Sequence, residues 1–385
     1  MNAESDCRIR RLPVFVANQI AAGEVVQRPE SVVKELVENA IDAGASHVTV
    51  IVSGAGKSLI QVTDDGEGMS HQDALLAFER HATSKIGEAS DLERIITLGF
   101  RGEALPSIAS IAKVELRTRT ASAEMASLVR IEGGNLEEHT FTAGDTGTSV
   151  SVRNLFFNTP ARMQFLKSDS TEFRLIADTV QRYILSYPEL RITLIADGNR
   201  IYDVPPGVPA GRLSAVLGER AASALLEVRE ETDLITVSGY IGRPDFARKT
   251  RGEQYLFVNG RFVVNRLINH AVVSAYENMV QQGEFPAYVL FLNINPKEVD
   301  VNVHPSKLEV KFSNERHIYT MINAVVRRSL YGSDISPAMG FRRKPTPEVP
   351  ARGPSPAQYG SRAERPVPAA PWTPRTSTIF FSPSV

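Results

Sequence analysis

An α+β protein with two folded modules and a proline-rich tail is what this sequence predicts. Three observations lead there. Helix and strand periodicities alternate as far as about residue 210, a breaker cluster at Pro205-Pro-Gly-Val-Pro-Ala-Gly211 interrupts them, and a second helix–strand pattern runs from Leu213 to about Tyr331. The expected divisions are therefore residues 1–210, 211–332 and 333–385. A chain of 385 residues with 42% hydrophobic content can bury two cores and still leave a linker.

The first element is a helix over Ser31–Gly44, where Val32, Val33, Leu36, Val37, Ala40 and Ile41 recur at helical spacing. Glu35, Asn39 and Asp42 stand at i, i+4 and i+7, so they share one polar face beside that stripe. A carboxylate one turn from a carboxamide suits water activation by Glu35 beside a Mg²⁺ ion that keeps several waters and takes Asn39 as ligand. The plainer alternative is a solvated helix face with Lys34–Glu38 as an ordinary i,i+4 pair.

Ile60–Thr63 reads as a strand running into Asp64-Asp65-Gly66-Glu67-Gly68-Met69. Asp64 is an acceptor at a strand end, suited to an exocyclic amine such as adenine's, and Gly66 and Gly68 let backbone approach a flat ring. A tight Asp-Gly hairpin turn is the competing reading. An EF-hand loop is excluded, because the alternating acidic ligands and the distal Glu are missing. Arg80-His81-Ala82-Thr83-Ser84-Lys85 follows, then Leu98-Gly99-Phe100-Arg101-Gly102-Glu103-Ala104-Leu105. Gly99 and Gly102 flank a loop that opens a helix through Ile108 and Ile111, and free N–H groups at such a start make an anion site for phosphates. The sequence contains no Walker lysine loop, so the phosphate grip is of another kind.

In the second module strands are expected at Leu234–Tyr240, Gln254–Val258 and Ala287–Ile294, with a helix at Arg266–Tyr276. Val299, Val301 and Val303 alternate as a strand, as do Leu308, Val310 and Phe312, which makes His304-Pro305-Ser306-Lys307 a connecting loop projecting a cation. By spacing alone Lys307 is a surface lysine beside Lys311. Pro337–Val385 holds eleven of the 23 prolines, with only Glu348 and Glu364 acidic, and is expected to be a disordered, mildly basic linker. A net charge of −1 gives no global basic field, so any nucleic-acid site must be a local patch. The lone Cys7 permits neither an internal disulfide nor a Cys-rich metal site and suits a reducing compartment. Met1–Asp6 lacks the basic start of a secretory leader, and no stretch approaches the roughly 20 apolar residues that span a bilayer. A cytoplasmic protein with no membrane association is expected.

Taken in order, these motifs resemble the GHKL ATPases, the superfamily of gyrase B, heat-shock chaperones and histidine kinases, and within it the MutL family of bacterial mismatch-repair proteins. Asn18–Pro29, Lys34–Ala45, His81–Ile86, Gly99–Leu105, Asn158–Arg162 and Asp300–Lys307 match the signatures of that family, and the resemblance runs from about Ile9 to about Leu330. It implies a GHKL (Bergerat) ATPase α/β sandwich followed by a ribosomal-S5-like transducer domain. It implies an ATPase using ATP and Mg²⁺, with Glu35 as base and Asn39 as metal ligand. Nucleotide contacts are expected from Asn39, Asp42, Asp64, Gly66, Gly68, Met69, Thr83, Ser84, Lys85, Gly99, Phe100, Arg101, Gly102, Glu103, Ala104, Leu105 and Thr148. Lys307 is expected to reach across the domain boundary to the γ-phosphate, where its charge stabilises the oxygens of the transition state.

The resemblance also implies DNA. Arg162 and Arg266 match groove residues of the family, and Lys167, Arg174 and Arg261 are further candidates, among a wider basic set of Arg153, Arg182, Lys249 and Arg251. Scattered basic residues are ordinarily solvated surface; gathered in one groove they bind phosphates with salt sensitivity and little sequence preference. Met163-Gln164 stands where many members carry further basic residues, which weakens that part of the patch. MutL proteins continue past the linker into a C-terminal dimerisation domain, which in many bacteria carries a metal-dependent nicking site. No such motif occurs in this sequence, so no endonuclease site is expected in it and homodimerisation is expected to depend on nucleotide. The implied mechanism is a slow ATP-gated clamp whose lid, between about Ala74 and Leu105, is ordered by MgATP. It would couple a MutS-like mismatch-recognition protein to a downstream nicking endonuclease and helicase, near the nucleoid during repair. A topoisomerase subunit would need a cleavage module, a chaperone a long middle domain, and a histidine kinase a phospho-acceptor helix upstream. A scaffold that merely holds nucleotide has no use for Glu35.

Overall fold

The computed structural model describes Pro13 and residues 19–20, 22–23, 25–87, 97–99, 102–250, 252–300 and 310–332. Cys7, Phe100, Arg101, Arg251, Lys307 and the tail from residue 333 lie outside the described residues. Helix α1 (Pro29–Asp42) starts at Pro29 rather than Ser31, because proline in the first turn forfeits no helical hydrogen bond. Strands β1 (His47–Ser53), β2 (Leu59–Asp64), β3 (Lys113–Arg119), β4 (Ala126–Glu132), β5 (Asn135–Thr142), β6 (Gly147–Arg153), β7 (Arg191–Ala196) and β8 (Asn199–Val204) form one sheet in the order β5-β4-β3-β6-β2-β1-β7-β8. Every neighbouring pair is antiparallel except β1 and β7. Helices α2 (His71–Leu76), α3 (Ala104–Ile111), α4 (Pro160–Gln164) and α5 (Asp169–Ser186) complete this part.

The alternation of β1 buries Val48, Val50 and Val52, and that of β2 buries Ile60 and Val62. Against them pack Val32, Val33, Leu36, Val37 and Ala40 of α1, Ile108 and Ile111 of α3, and Ile176, Val180 and Ile184 of α5. The opposite face carries a polar row in which Gln61 and Thr63 meet Ser149, and His47 meets Thr193. Such a sheet is covered by helices on one side only. Ala74 is fully buried in this core, so the lid expected from about Ala74 starts on a packed residue, a small side chain that lets α2 lie close against the sheet.

After α6 (Pro209–Leu217) and α7 (Glu219–Ala222) come β9 (Leu225–Glu231), β10 (Ile235–Gly242), β11 (Gln254–Val258), β12 (Arg261–Phe262), α8 (Arg266–Ala275) and β13 (Tyr288–Ile294). They form a five-stranded sheet, β12-β11-β13-β10-β9, whose one parallel pair is β11 with β13. Strand β14 (Val299–Asp300) pairs with β15 (Lys311–Phe312), and α9 (Glu315–Gly332) follows. Val237, Leu290 and Leu292 of the sheet pack on Ile268 and Val272 of α8 and on Ile322 and Val326 of α9.

The two sheets are stitched together within one compact unit. Leu185, Leu213, Tyr255, Phe257 and Val289 make a small core of their own. The Tyr255 hydroxyl donates to Gln181 Oε1 at 2.9 Å. Arg212 of α6, 2% exposed, donates to the carbonyls of Ile184 and Pro205 and so closes the connection at the breaker cluster. Among the described residues no helix is long and apolar enough to cross a membrane.

Candidate active site

Asp42, at the end of α1, is where the separate motifs meet. Its side chain is 6% exposed. Oδ1 accepts the Leu98 N–H at 2.9 Å, and Oδ2 accepts the Gly99 N–H at 3.1 Å and the Lys85 ammonium at 2.5 Å. Lys85 also donates to Asn39 Oδ1 at 3.1 Å. A Cβ on Gly99 would sit 3.4 Å from that ammonium, so glycine there keeps the loop close to the helix. The Lys85 N–H is held by Thr83 Oγ1 at 3.2 Å, whereas Ser84 is exposed.

The segment around His81 runs beside the second glycine of the loop. The His81 N–H donates to the Gly102 carbonyl at 3.2 Å, and Gly102, at φ +61°, presses against the Ala82 carbonyl where no side chain fits. Glu103 then caps α3 without placing a side-chain oxygen on its first turn, which Ala104 and Leu105 begin. Those first-turn N–H groups are of the kind that bind anions.

Asp64 ends β2 on the same side. Its Oδ1 accepts both the Gly66 N–H at 2.9 Å and the Thr148 N–H at 3.3 Å. Among the described residues Oδ2 has no hydrogen-bond partner, which leaves an acceptor for a ligand. Burial pushes the Asp64 carboxyl up from its ordinary value, and the two backbone bonds only partly offset that. Gly68 has φ +66° and abuts the Arg119 carbonyl, so the cradle beside Asp64 admits no Cβ. The Met69 N–H is fixed by Thr118 Oγ1 at 2.8 Å, and that hydroxyl lies 3.0 Å from the one on Thr148. The neighbouring Asp65 does a different job. It takes the N–H groups of Ser46 and His47 at 2.8 Å and the Ser46 hydroxyl, and these bonds outweigh its partial desolvation to hold its carboxyl below the usual range. No hairpin forms at Asp65-Gly66: β2 leads into α2, and the Gly66 N–H is taken by the Asp64 side chain.

Glu35 lies one turn before Asn39 and is paired with Lys34 at 2.9 Å. Lys34 also reaches Glu38 at 3.1 Å, and Glu38 takes the Tyr183 hydroxyl at 3.1 Å. Glu38 is 7% exposed, so the Lys34–Glu38 pair is no solvated helix pair. Burial raises the Glu38 carboxyl and lowers the Lys34 ammonium, but Glu35 and Glu38 outweigh burial at Lys34 and hold it well above the usual lysine range. Sequence reasoning gave Glu38 as a solvated partner of Lys34 and missed its burial and Tyr183; the signal was a carboxylate set between the apolar pairs Leu36–Val37 and Ala40–Ile41. Among the described residues no three His, Cys, Asp or Glu side chains are gathered for a metal. A magnesium ion held by one carboxamide oxygen, waters and phosphates needs no such group, so the donor set around Asn39 fits it.

Of the basic residues, Lys167, Arg174 and Arg266 are exposed. Arg162 donates to the Gln19 carbonyl at 3.0 Å, and Arg261 to the Leu98 carbonyl at 3.2 Å. Both guanidinium groups therefore already serve the fold.

Two family models match the chain in order. That of the histidine kinase-, DNA gyrase B- and HSP90-like ATPases covers residues 27–142, and that of the DNA mismatch repair protein C-terminal domain covers residues 213–331. The DNA mismatch repair protein MutL of Christiangramia forsetii is 46% identical over 342 residues, 89% of this chain and 55% of the relative. The chain thus spans about half the length of the curated relatives it matches. A crystal structure of the N-terminal domain of a DNA repair protein is 27% identical with a TM-score of 0.72, covering 83% of this chain and 99% of that one. The Aquifex aeolicus MutL ATPase domain complexed with ADP is 29% identical with a TM-score of 0.54, covering 71% and 94%. With one model on each sheet and relatives aligned across both, the chain belongs to the MutL family of GHKL-fold proteins.

Proposed function

We propose that the chain is the ATP-binding and ATP-hydrolysing part of a DNA clamp that acts in mismatch repair. Residues 1–210 form its nucleotide domain, 211–332 its transducer and DNA-binding domain, and 333–385 its linker. The observation that carries this reading is the polar face of α1, where Asp42 gathers Lys85 and the Leu98–Gly99 amides around Asn39, one turn from Glu35.

In this reading Asp64 Oδ2 accepts the adenine amine, with the Gly66–Met69 backbone and Thr148 shaping the pocket. Thr83, Ser84, Lys85 and the loop from Gly99 through Phe100, Arg101, Gly102 and Glu103 to Ala104 and Leu105 hold the phosphates. Asn39 Oδ1 holds magnesium, which when bound neutralises phosphate charge. Glu35 takes the proton of the attacking water. Lys307 supplies positive charge to the transferring group. Lys167, Arg174 and Arg266 contact DNA phosphates, while Arg162 and Arg261 are already tied to backbone carbonyls. A MutS-like protein acts before the clamp, and a nicking endonuclease and helicase after it.

Sedimentation tests the clamp. The empty chain is expected to be a monomer and the chain saturated with a non-hydrolysable ATP analogue a dimer, because the γ-phosphate orders the surfaces that pair. A monomer at saturation would overturn the reading.

A further inference from the structure

We propose that Arg261 is a latch through which the five-stranded module positions the nucleotide loop; the proposal rests on the ATP-binding reading above. The Leu98–Gly99 segment is gripped from two directions. Asp42 takes its N–H groups, and Arg261 Nη2 donates to the Leu98 carbonyl at 3.2 Å. One grip comes from the helix carrying Glu35 and Asn39, the other from the second sheet.

The arginine is presented by a rigid turn. Asn259 and Gly260 join β11 to β12 with φ of +49° and +78°, the left-handed pair that two-residue hairpins require. The Asn259 carboxamide donates to the Ile294 carbonyl and accepts the Ile294 N–H, both at 2.9 Å, and the Asn259 N–H donates to the Leu292 carbonyl at 2.9 Å. Phe262, the next residue, lies under the Arg182 guanidinium, 4.0 Å from its ring centroid. Arg261 therefore follows β13, and β13 leads in sequence toward Lys307.

The contact itself is a single hydrogen bond across a cleft. Lys34, Glu38, Tyr183, Tyr187, Arg261 and Phe262 border a solvent-open cleft of about 480 Å³ between the two parts, and Arg261 crosses it by a hydrogen bond to one carbonyl. Arg261 does not touch nucleotide. It acts through Leu98 and Gly99, so a shift of β13 pulls on the same peptide that Asp42 holds. This is a positioning role, distinct from binding DNA phosphate.

The test compares wild type, Arg261→Ala and Arg261→Lys. It measures affinity for an ATP analogue, amide hydrogen exchange at Leu98 and Gly99, and the salt dependence of DNA binding by the empty protein. Arg261→Ala is expected to weaken nucleotide binding roughly tenfold, the scale of one charge-assisted hydrogen bond. It should also speed exchange at both amides and leave the salt slope unchanged. Arg261→Lys should restore most of both nucleotide affinity and protection. Unchanged affinity and exchange in folded Arg261→Ala would overturn the latch. So would weakened DNA binding with nucleotide behaviour intact, which assigns Arg261 to the groove. If wild type binds no nucleotide, the ATP reading fails, and exchange in the empty proteins still decides the latch. Should Arg261→Ala not fold, wild-type exchange serves: residues 97–99 and 259–262 must change protection together on adding the analogue, and a change in one alone overturns the proposal.

Discussion

The two sheets place their polar groups in opposite ways. Among the described residues, the buried polar and charged side chains run from Glu38 to Arg212, all on the first sheet, its helices or the connection leaving it. Around the second sheet the core is aliphatic and aromatic, and charge stays outside. Burying a polar group is costly unless it is paired. In the first part Glu38 is paired with Lys34 and Tyr183, and Arg212 with two backbone carbonyls, whereas the second sheet packs an apolar core. Substitutions should therefore separate by place: those on the polar face of α1 and at Asp64 should impair chemistry, and those in the apolar core of the second sheet should impair stability, with Arg261 and Lys307, assigned above to the nucleotide side, standing apart from that division.

Glu35→Ala should give the largest effect. Turnover should fall by about 10²–10⁴, the usual span for a positioned base, with nucleotide affinity within a few-fold. Normal hydrolysis in a folded variant would remove Glu35 from the mechanism. Leu290→Ala, at a fully buried position of β13, should cost about 2–5 kcal/mol in denaturant unfolding. The folded fraction should still bind nucleotide; a drop in affinity larger than the drop in folded protein would break the division drawn here.

Asp64→Asn sharpens the comparison because its two effects have opposite signs. Asparagine keeps an oxygen for the Gly66 and Thr148 N–H groups but puts a donor where Oδ2 was. ATP binding should weaken by roughly 1.5–3 kcal/mol, and the preference for ATP over GTP should shrink. Stability should go the other way. Burial raises the folded carboxyl above its unfolded value, so its favourable contribution is complete below the unfolded pKa and is lost as pH rises through the folded one. The variant should therefore be at least as stable as wild type at neutral pH, with the gap closing in acid. A wild type that gains on the variant as pH rises would mean Asp64 is stabilised as a carboxylate. Arg266→Glu should have the smallest effect on the chain itself: basal turnover unchanged, and a slope of log affinity for DNA against log salt shallower by about 0.9 for each phosphate no longer neutralised. An unaltered slope would take Arg266 off the groove.

Local pattern and distant pairing were not equally legible in the sequence. Helix α1, strand β2 with Asp64 at its end, and β11 from Gln254 to Val258 follow from periodicity, since each has one apolar face. Strand β9 was missed because Leu225–Glu231 is largely charged, and α9 because its apolar residues sit among Arg, His and Tyr. Nothing local links Asp42 to Leu98, Glu38 to Tyr183 or Arg261 to Leu98; those partners are 56, 145 and 163 residues apart. Arg162 and Arg261 read as surface cations for the same reason: composition gives a charge, and only the fold shows the carbonyl that receives it.

Lys85 has one more consequence. Its ammonium is a cation on a tether, seated between Asn39 and Asp42. A tethered group competes at a high effective concentration set by its linker, however dilute the protein. A free divalent ion meets that competitor at the Asn39 oxygen, whereas a polyphosphate offers the lysine a stronger counter-charge than Asp42 does. In the proposed reading, the same lysine that screens Asn39 from stray cations becomes, once drawn to phosphate, part of the grip on the nucleotide.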